Sequence, residues 1–152
     1  MSTHTQIIYQ IVYSTKNREK CMLKKSRDKV FKYMGGLLKN KNCHLYIING
    51  VEDHLHIVTH IHPTIALAPL IKDIKISCNN YIKGNRLFPD FPGWQDGYGA
   101  FTYSYNAMTN LIRYVQNQEQ HHGIVTYEEE YISLLEEHGV EYDEKYLFDA
   151  FG

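Results

Sequence analysis

The chain has 152 residues, 43% of them hydrophobic and 22% charged, with a formal net charge of −1. That length can bury a real core yet is too short for two typical domains, so one domain over residues 1–152 is expected. No run approaches the roughly 18 apolar residues of a membrane span, and Met1-Ser2-Thr3-His4 lacks the charged and apolar regions of a secretory signal; a cytoplasmic protein without membrane association is expected.

Cys21, Cys43 and Cys78 are widely spaced and odd in number, which fits reduced thiols better than a disulfide framework. The charge is segregated. From Thr126 onward there are 9 acidic residues and one basic residue, Lys145, so residues 1–125 carry 15 basic against 8 acidic side chains, a net of +7. Ten of those basic residues lie between Lys16 and Lys41, a density suited to neutralising phosphates; a solvated helix surface is the alternative. The acidic region, 126–152, is expected to stay off nucleic acid.

Residues 6–13 read as a strand rich in Ile, Val and Tyr, followed by a polar loop from Ser14. Ser26 is placed to cap a helix running to about Asn40, with Val30, Phe31, Met34, Leu37 and Leu38 as its apolar stripe. Residues 43–51 and 54–61 follow as two strands, and the short link after Gly50 predicts an antiparallel hairpin. A helix over about 65–83 presents Leu67, Leu70, Ile71, Ile74, Cys78 and Tyr81 on one side and Lys72, Lys75, Asn79 and Lys83 on the other. That second stripe suits a phosphate backbone, although solvation explains it equally. Residues 91–99 form a loop and 100–105 a short strand. Asn106 is placed to cap a helix through about His121, with Met108, Leu111, Ile112 and Val115 buried, and Gly123 stops it. Thr126 and Glu129 make a capping box for a last helix that docks through Tyr131, Leu134 and Leu135. The order strand, helix, strand, strand, helix, strand predicts an α+β fold, with a ferredoxin-like (RRM-like) antiparallel sheet and helices packed on one face.

Two places carry chemistry. In Asp53-His54-Leu55-His56-Ile57-Val58-Thr59-His60-Ile61 the alternation sets His54, His56 and His60 on one strand face and Leu55, Ile57 and Ile61 on the other. Imidazoles at i and i+2 lie roughly 6.5–7 Å apart along the backbone, a span that side chains close onto one cation, although such histidines also occur on strands without function. The zinc-protease pattern HExxH and any CxxC are absent. On the later helix, Tyr114 and Gln118 are one turn apart. A phenol is a nucleophile at phosphorus and an amide carbonyl a ligand of hard cations, but packing explains a lone pair of this kind as well. Two imidazoles and an amide oxygen suit Mg²⁺ or Mn²⁺ better than structural zinc.

Val12-Tyr13-Ser14-Thr15-Lys16, Asp53-His54-Leu55-His56, Trp94 to Phe101, and Tyr114 to His122 together resemble the single-tyrosine HUH transposases of the insertion-sequence 200/605 family. The ordered resemblance spans nearly the whole chain. It implies an HUH endonuclease fold, His54, His56 and Gln118 as metal ligands, Tyr114 as nucleophile, and a homodimer in which the tyrosine helix of one protomer completes the other's site. The implied activity is metal-dependent cleavage and rejoining of single-stranded DNA at hairpin-flanked ends through a covalent 5′-phosphotyrosine. His60 and His121 are the candidate bases, and His121 or His122 alternatively serves as a helix C-terminal charge partner. Lys16, Arg18, Lys72, Lys75 and Lys83 are the candidate DNA-binding cations. The alternatives are a domesticated nuclease of the same chemistry acting on repeated palindromes, and a single-strand-binding module without catalysis.

Overall fold

A computed structural model describes residues 2–148; Met1 and the end of the acidic tail, 149–152, lie outside the described residues. Strands β1 (Ile8–Ser14), β2 (His44–Gly50), β3 (His54–His60) and β4 (Gly99–Tyr103) form one antiparallel sheet in the order β2-β3-β1-β4. Helices α1 (Lys24–Asn40) and α2 (Leu67–Gly84) make the two crossovers of the ferredoxin-like arrangement.

The sheet is covered on both faces, which extends the expectation of helices on one. On the first face Ile11, Tyr13, Leu55 and Ile57 meet Val30, Met34 and Leu38 of α1 and Leu70, Ile71, Ile74 and Cys78 of α2. On the second, Ile8 and Val58 meet Leu111 and Val115 of α3 (Met108–Gln116), while Val12 and Phe101 meet Tyr127, Tyr131, Leu134 and Leu135 of α5 (Tyr127–Glu137). The reason is the strand alternation: the face that carries His54 and His56 also carries Ile8, Val12 and Val58, whose apolar area favours a cover of its own. The three cysteines are free, with Cys43 and Cys78 buried.

Two caps differ from expectation. Helix α1 starts ahead of Ser26, with Leu23 at its N-cap, and Ser26 is buried within the first turns. Asn106 does not cap; it lies in a 3-10 turn, Tyr105–Ala107, that leads into α3. The helix also stops at Asn117 and restarts as α4 (Gln118–His121), so the expected single helix is two. The capping box of Thr126 and Glu129 is present. A short α6 (Glu144–Leu147) follows.

The β2–β3 hairpin is tight at Gly50, where an added Cβ would collide with the His54 carbonyl oxygen and stand 2.8 Å from Leu55 Cα. Gly50→Ala is therefore expected to destabilise the protein by about 1–3 kcal/mol in chemical denaturation. A midpoint equal to wild type would show that the hairpin can open at no cost.

Candidate active site

Strand β3 delivers His54 and His56 side by side, both fully buried. Asp53 Oδ1 accepts from His54 Nδ1 at 2.7 Å, and Gln10 Oε1 from β1 accepts from His56 Nδ1 at 2.7 Å. Both rings are thereby fixed with Nε2 turned to a common point, the arrangement that orients metal-ligating imidazoles. Gln10 is itself held by Tyr103, whose hydroxyl lies 2.6 Å from its Nε2. Tyr127 lies over the His54 ring with centroids 4.7 Å apart.

The break at Asn117 makes Gln118 the first residue of α4, where it is fully buried with Oε1 3.3 Å from His54 Nε2. His122, just past α4, brings its Nε2 to 3.0 Å from His54 Nε2. At the centre is a residue that the sequence reading did not single out, Glu130 of α5. Its Oε1 lies 3.2, 2.9 and 3.0 Å from Nε2 of His54, His56 and His122. Its Oε2 accepts from the Tyr114 hydroxyl and lies 3.3 Å from His121 Nε2. Glu130 follows Tyr127 by three residues and precedes Tyr131 and Leu134 on the buried stripe of α5. A carboxylate on an apolar stripe was the signal that could have found it.

The electrostatics follow from this packing. Burial works against an ionised Glu130, but hydrogen bonds from His122 and His54, with the His56 ring beside them, outweigh it and hold its carboxyl well below the usual carboxylate range. Burial likewise works against a charged His54, yet Asp53 and Glu130 raise its pKa to about 9. For His56 and His121 burial prevails and the pKa falls. The Tyr114 phenol is pushed well up, by burial first and then by the charge of Glu130. His121 Nε2 lies 3.3 Å from the Tyr114 hydroxyl. His60 is elsewhere, at the far end of β3, its Nδ1 accepting from the backbone of Ile7.

The donor set suits a cation. Ligands bonded at about 2.1 Å stand about 3.0 Å apart around an octahedral ion and about 3.4 Å around a tetrahedral one. His54, His56, His122 and Glu130 offer ligand atoms all within 4.8 Å of one another, and the nearest separations fall in that range. Gln118 Oε1 is a further donor at the same cluster. Three imidazoles with one or two oxygens are richer in nitrogen than the two-imidazole set read from sequence, a mixed donor set that a divalent transition metal accepts more readily than Mg²⁺ does.

The candidate DNA-binding cations are divided. Lys16 and Arg18 lie in the loop after β1, with Arg18 Nε 2.6 Å from Glu128. Lys72 and Lys83 are exposed on α2, which covers the opposite face of the sheet. Lys75 is engaged: its ammonium donates to the Gln95 and Gly97 carbonyls at 2.7 and 2.8 Å, and burial lowers its pKa to about 8.

The chain thus sets a histidine pair on the third strand of a ferredoxin-like sheet, facing a tyrosine helix. The chain belongs to the IS200-like transposase family, whose model matches residues 3–118. It resembles a solved protein of Deinococcus radiodurans R1 assigned as a transposase (16% identity, 78% of this chain and 95% of that one, TM-score 0.59). It also resembles a REP-associated tyrosine transposase bound to a REP hairpin (12% identity, 82% of this chain and 76% of that one, TM-score 0.59). None of the curated proteins compared matches the sequence. No helix among the described residues is long and apolar enough to cross a membrane.

Metal binding must remove the proton that His54 holds up to about pH 9. Mn²⁺ affinity is thus expected to rise about tenfold per pH unit from 7 to 9 and then level off, with proton release. Asp53→Asn should move that break to lower pH. Titration calorimetry in buffers of different ionisation enthalpy reads both; an affinity independent of pH would remove His54 from the ligand set.

Proposed function

We propose that the protein is a transposase that cleaves and rejoins single-stranded DNA at hairpin-flanked ends, with Tyr114 as nucleophile. The observation that carries this reading is the convergence of the Tyr114 hydroxyl with His54, His56, His122, Gln118 and Glu130 in one buried cluster. A structural neighbour bound to a REP hairpin supports the hairpin as the flanking element.

A divalent cation held by His54, His56 and Gln118, with His122 and Glu130 as additional donors, would act as Lewis acid on the scissile phosphate. Tyr114 Oη attacks phosphorus in line; the Oη–P bond forms as the P–O3′ bond breaks, leaving a 5′-phosphotyrosine and a 3′ oxygen that takes up a proton from water. His121 receives the phenolic proton. It is within reach of Oη at 3.3 Å, and burial lowers its pKa, favouring the neutral form that accepts. Glu130 must release the hydroxyl first, because its charge opposes formation of a phenolate. Since the phosphoester is conserved, a second 3′-hydroxyl rejoins the strand without ATP.

Tyr114 reaches the cluster of its own chain, which supports action in cis. A homodimer would then serve to bring two ends together rather than to complete a site. Lys16, Arg18, Lys72 and Lys83 contact phosphates, while Lys75 positions the 95–97 loop.

With labelled single-stranded DNA from the native flanks and Mn²⁺, wild-type protein should give a denaturant-resistant adduct. Tyr114→Phe should bind that DNA and give none, and His56→Ala should lose cleavage but keep much of the affinity. His121→Ala should slow adduct formation by about 100-fold or more. Wild type without adduct on any hairpin-flanked strand would leave a single-strand-binding module as the better reading.

A further inference from the structure

A groove of about 710 Å³ runs between the loop after β1, the start of α1 and the α4–α5 connection, and it ends at His122 and Tyr127 of the candidate site. Its walls carry four cations, Arg18, Lys20, Lys24 and Arg27. Carboxylates of α4 and α5 engage three of them. Glu128 lies 2.6 Å from Arg18, and Glu119 lies 3.3 Å from Lys24 and 3.1 Å from Arg27. Two residues past Glu128, Glu130 enters the histidine cluster itself. Three anionic side chains from one short segment are thus set in turn on a rim cation, on a second cation pair, and in the catalytic cluster. A polyanion entering the groove would meet these same cations.

We propose that this groove is the track by which the single strand reaches the active site, and that Glu119 and Glu128 hold its phosphate positions while the protein is free. The strand's phosphates exchange with the carboxylates on Arg18 and Lys24, the buried Arg27 lies behind them, and Lys20 adds a contact that no acid occupies among the described residues. The acids repel wrongly placed strands and shield the cations from other polyanions. The remaining charges at the groove are Glu52, exposed at the rim, and Asp53, which is turned to His54.

The inference rests on the proposed reaction with single-stranded DNA, and the test separates the two. Binding of a fluorescent single-stranded oligonucleotide is measured by anisotropy at several salt concentrations in the Tyr114→Phe background, with thermal unfolding as a check on each variant. Lys20→Gln and Lys24→Gln should each weaken binding about three- to tenfold at low salt and reduce the salt slope by about one. Glu128→Gln should tighten it by a similar factor. Glu119→Gln should do the same if it folds; because it unpairs the buried Arg27, Glu128→Gln decides the point alone. Lys39→Gln, about 22 Å away along α1, removes an equal charge and should leave affinity unchanged. If wild type forms the adduct and binds the strand but Lys20→Gln and Lys24→Gln match Lys39→Gln, or Glu128→Gln binds no better, the track is wrong and the transposase reading stands. If neither wild type nor the Tyr114→Phe background binds a single strand, both fall.

Discussion

An ionised carboxylate can be buried here only because four imidazoles and a phenol meet it, and that requirement joins five parts of the chain. Glu130 is 3% exposed, and its partners come from β3, α3, α4 and the turn after α4. Removing one partner of a buried ion pair leaves a charge without compensation, at a typical cost of about 3–5 kcal/mol. The cluster is therefore a structural joint as well as a chemical site. The same constraint explains the opposed shifts within it: charge is retained on His54, where two carboxylates flank one ring, and disfavoured on His56 and His121, where burial dominates.

The two faces of the sheet divide the work. The face toward α1 and α2 is mostly apolar, so β3 is anchored by Leu55 and Ile57 while its histidines turn the other way. One loop links the faces. Lys75 of α2 fixes the backbone at Gln95 and Gly97, and Gln95 Oε1 accepts from Ser14 N at 2.7 Å and from the Tyr127 hydroxyl at 2.8 Å. Tyr127 in turn lies over His54. A lysine that looks like a phosphate contact on a helical projection is joined through this loop to the histidine platform, because three carbonyls within reach replace the water its ammonium would lose.

What the sequence reveals depends on whether a signal is local. The alternation of β3 is: period two dictates that His54 and His56 share a face, and nothing elsewhere in the chain can change that. The capping box of Thr126 with Glu129 is local too, and it forms. Ser26 and Asn106 have the right side chains for caps but the wrong surroundings, because packing carries α1 past Ser26 and a 3-10 turn takes Asn106. The kink at Asn117 was not legible, and it is what makes Gln118 the start of a new turn. Glu130 was half-legible: its place on the stripe of Tyr127, Tyr131 and Leu134 predicts burial, but only the tertiary fold supplies the histidines that make burial tolerable. His122 needed the same information, since a helix C-terminus accounts for a histidine equally well.

The acids of α4 and α5 fall into two energetic kinds, and the difference bears on the order in which they could move. Arg18 and Glu128 keep side-chain exposures of 24% and 40%, and Lys24 and Glu119 keep 79% and 50%. Exposed pairs of this sort are worth about 0–1 kcal/mol and weaken with salt, so a polyanion competes with them on nearly equal terms. Glu130 is different, because it leaves the cluster only if something else neutralises the imidazoles or takes the Tyr114 proton. A cation bound by the histidines alters both conditions: it requires His54 to lose its proton, and it offers Glu130 a partner that needs no phenol. On the proposed reading the rim would exchange before the centre does, and the Tyr114 hydroxyl would stay hydrogen-bonded to Glu130 until a cation is bound.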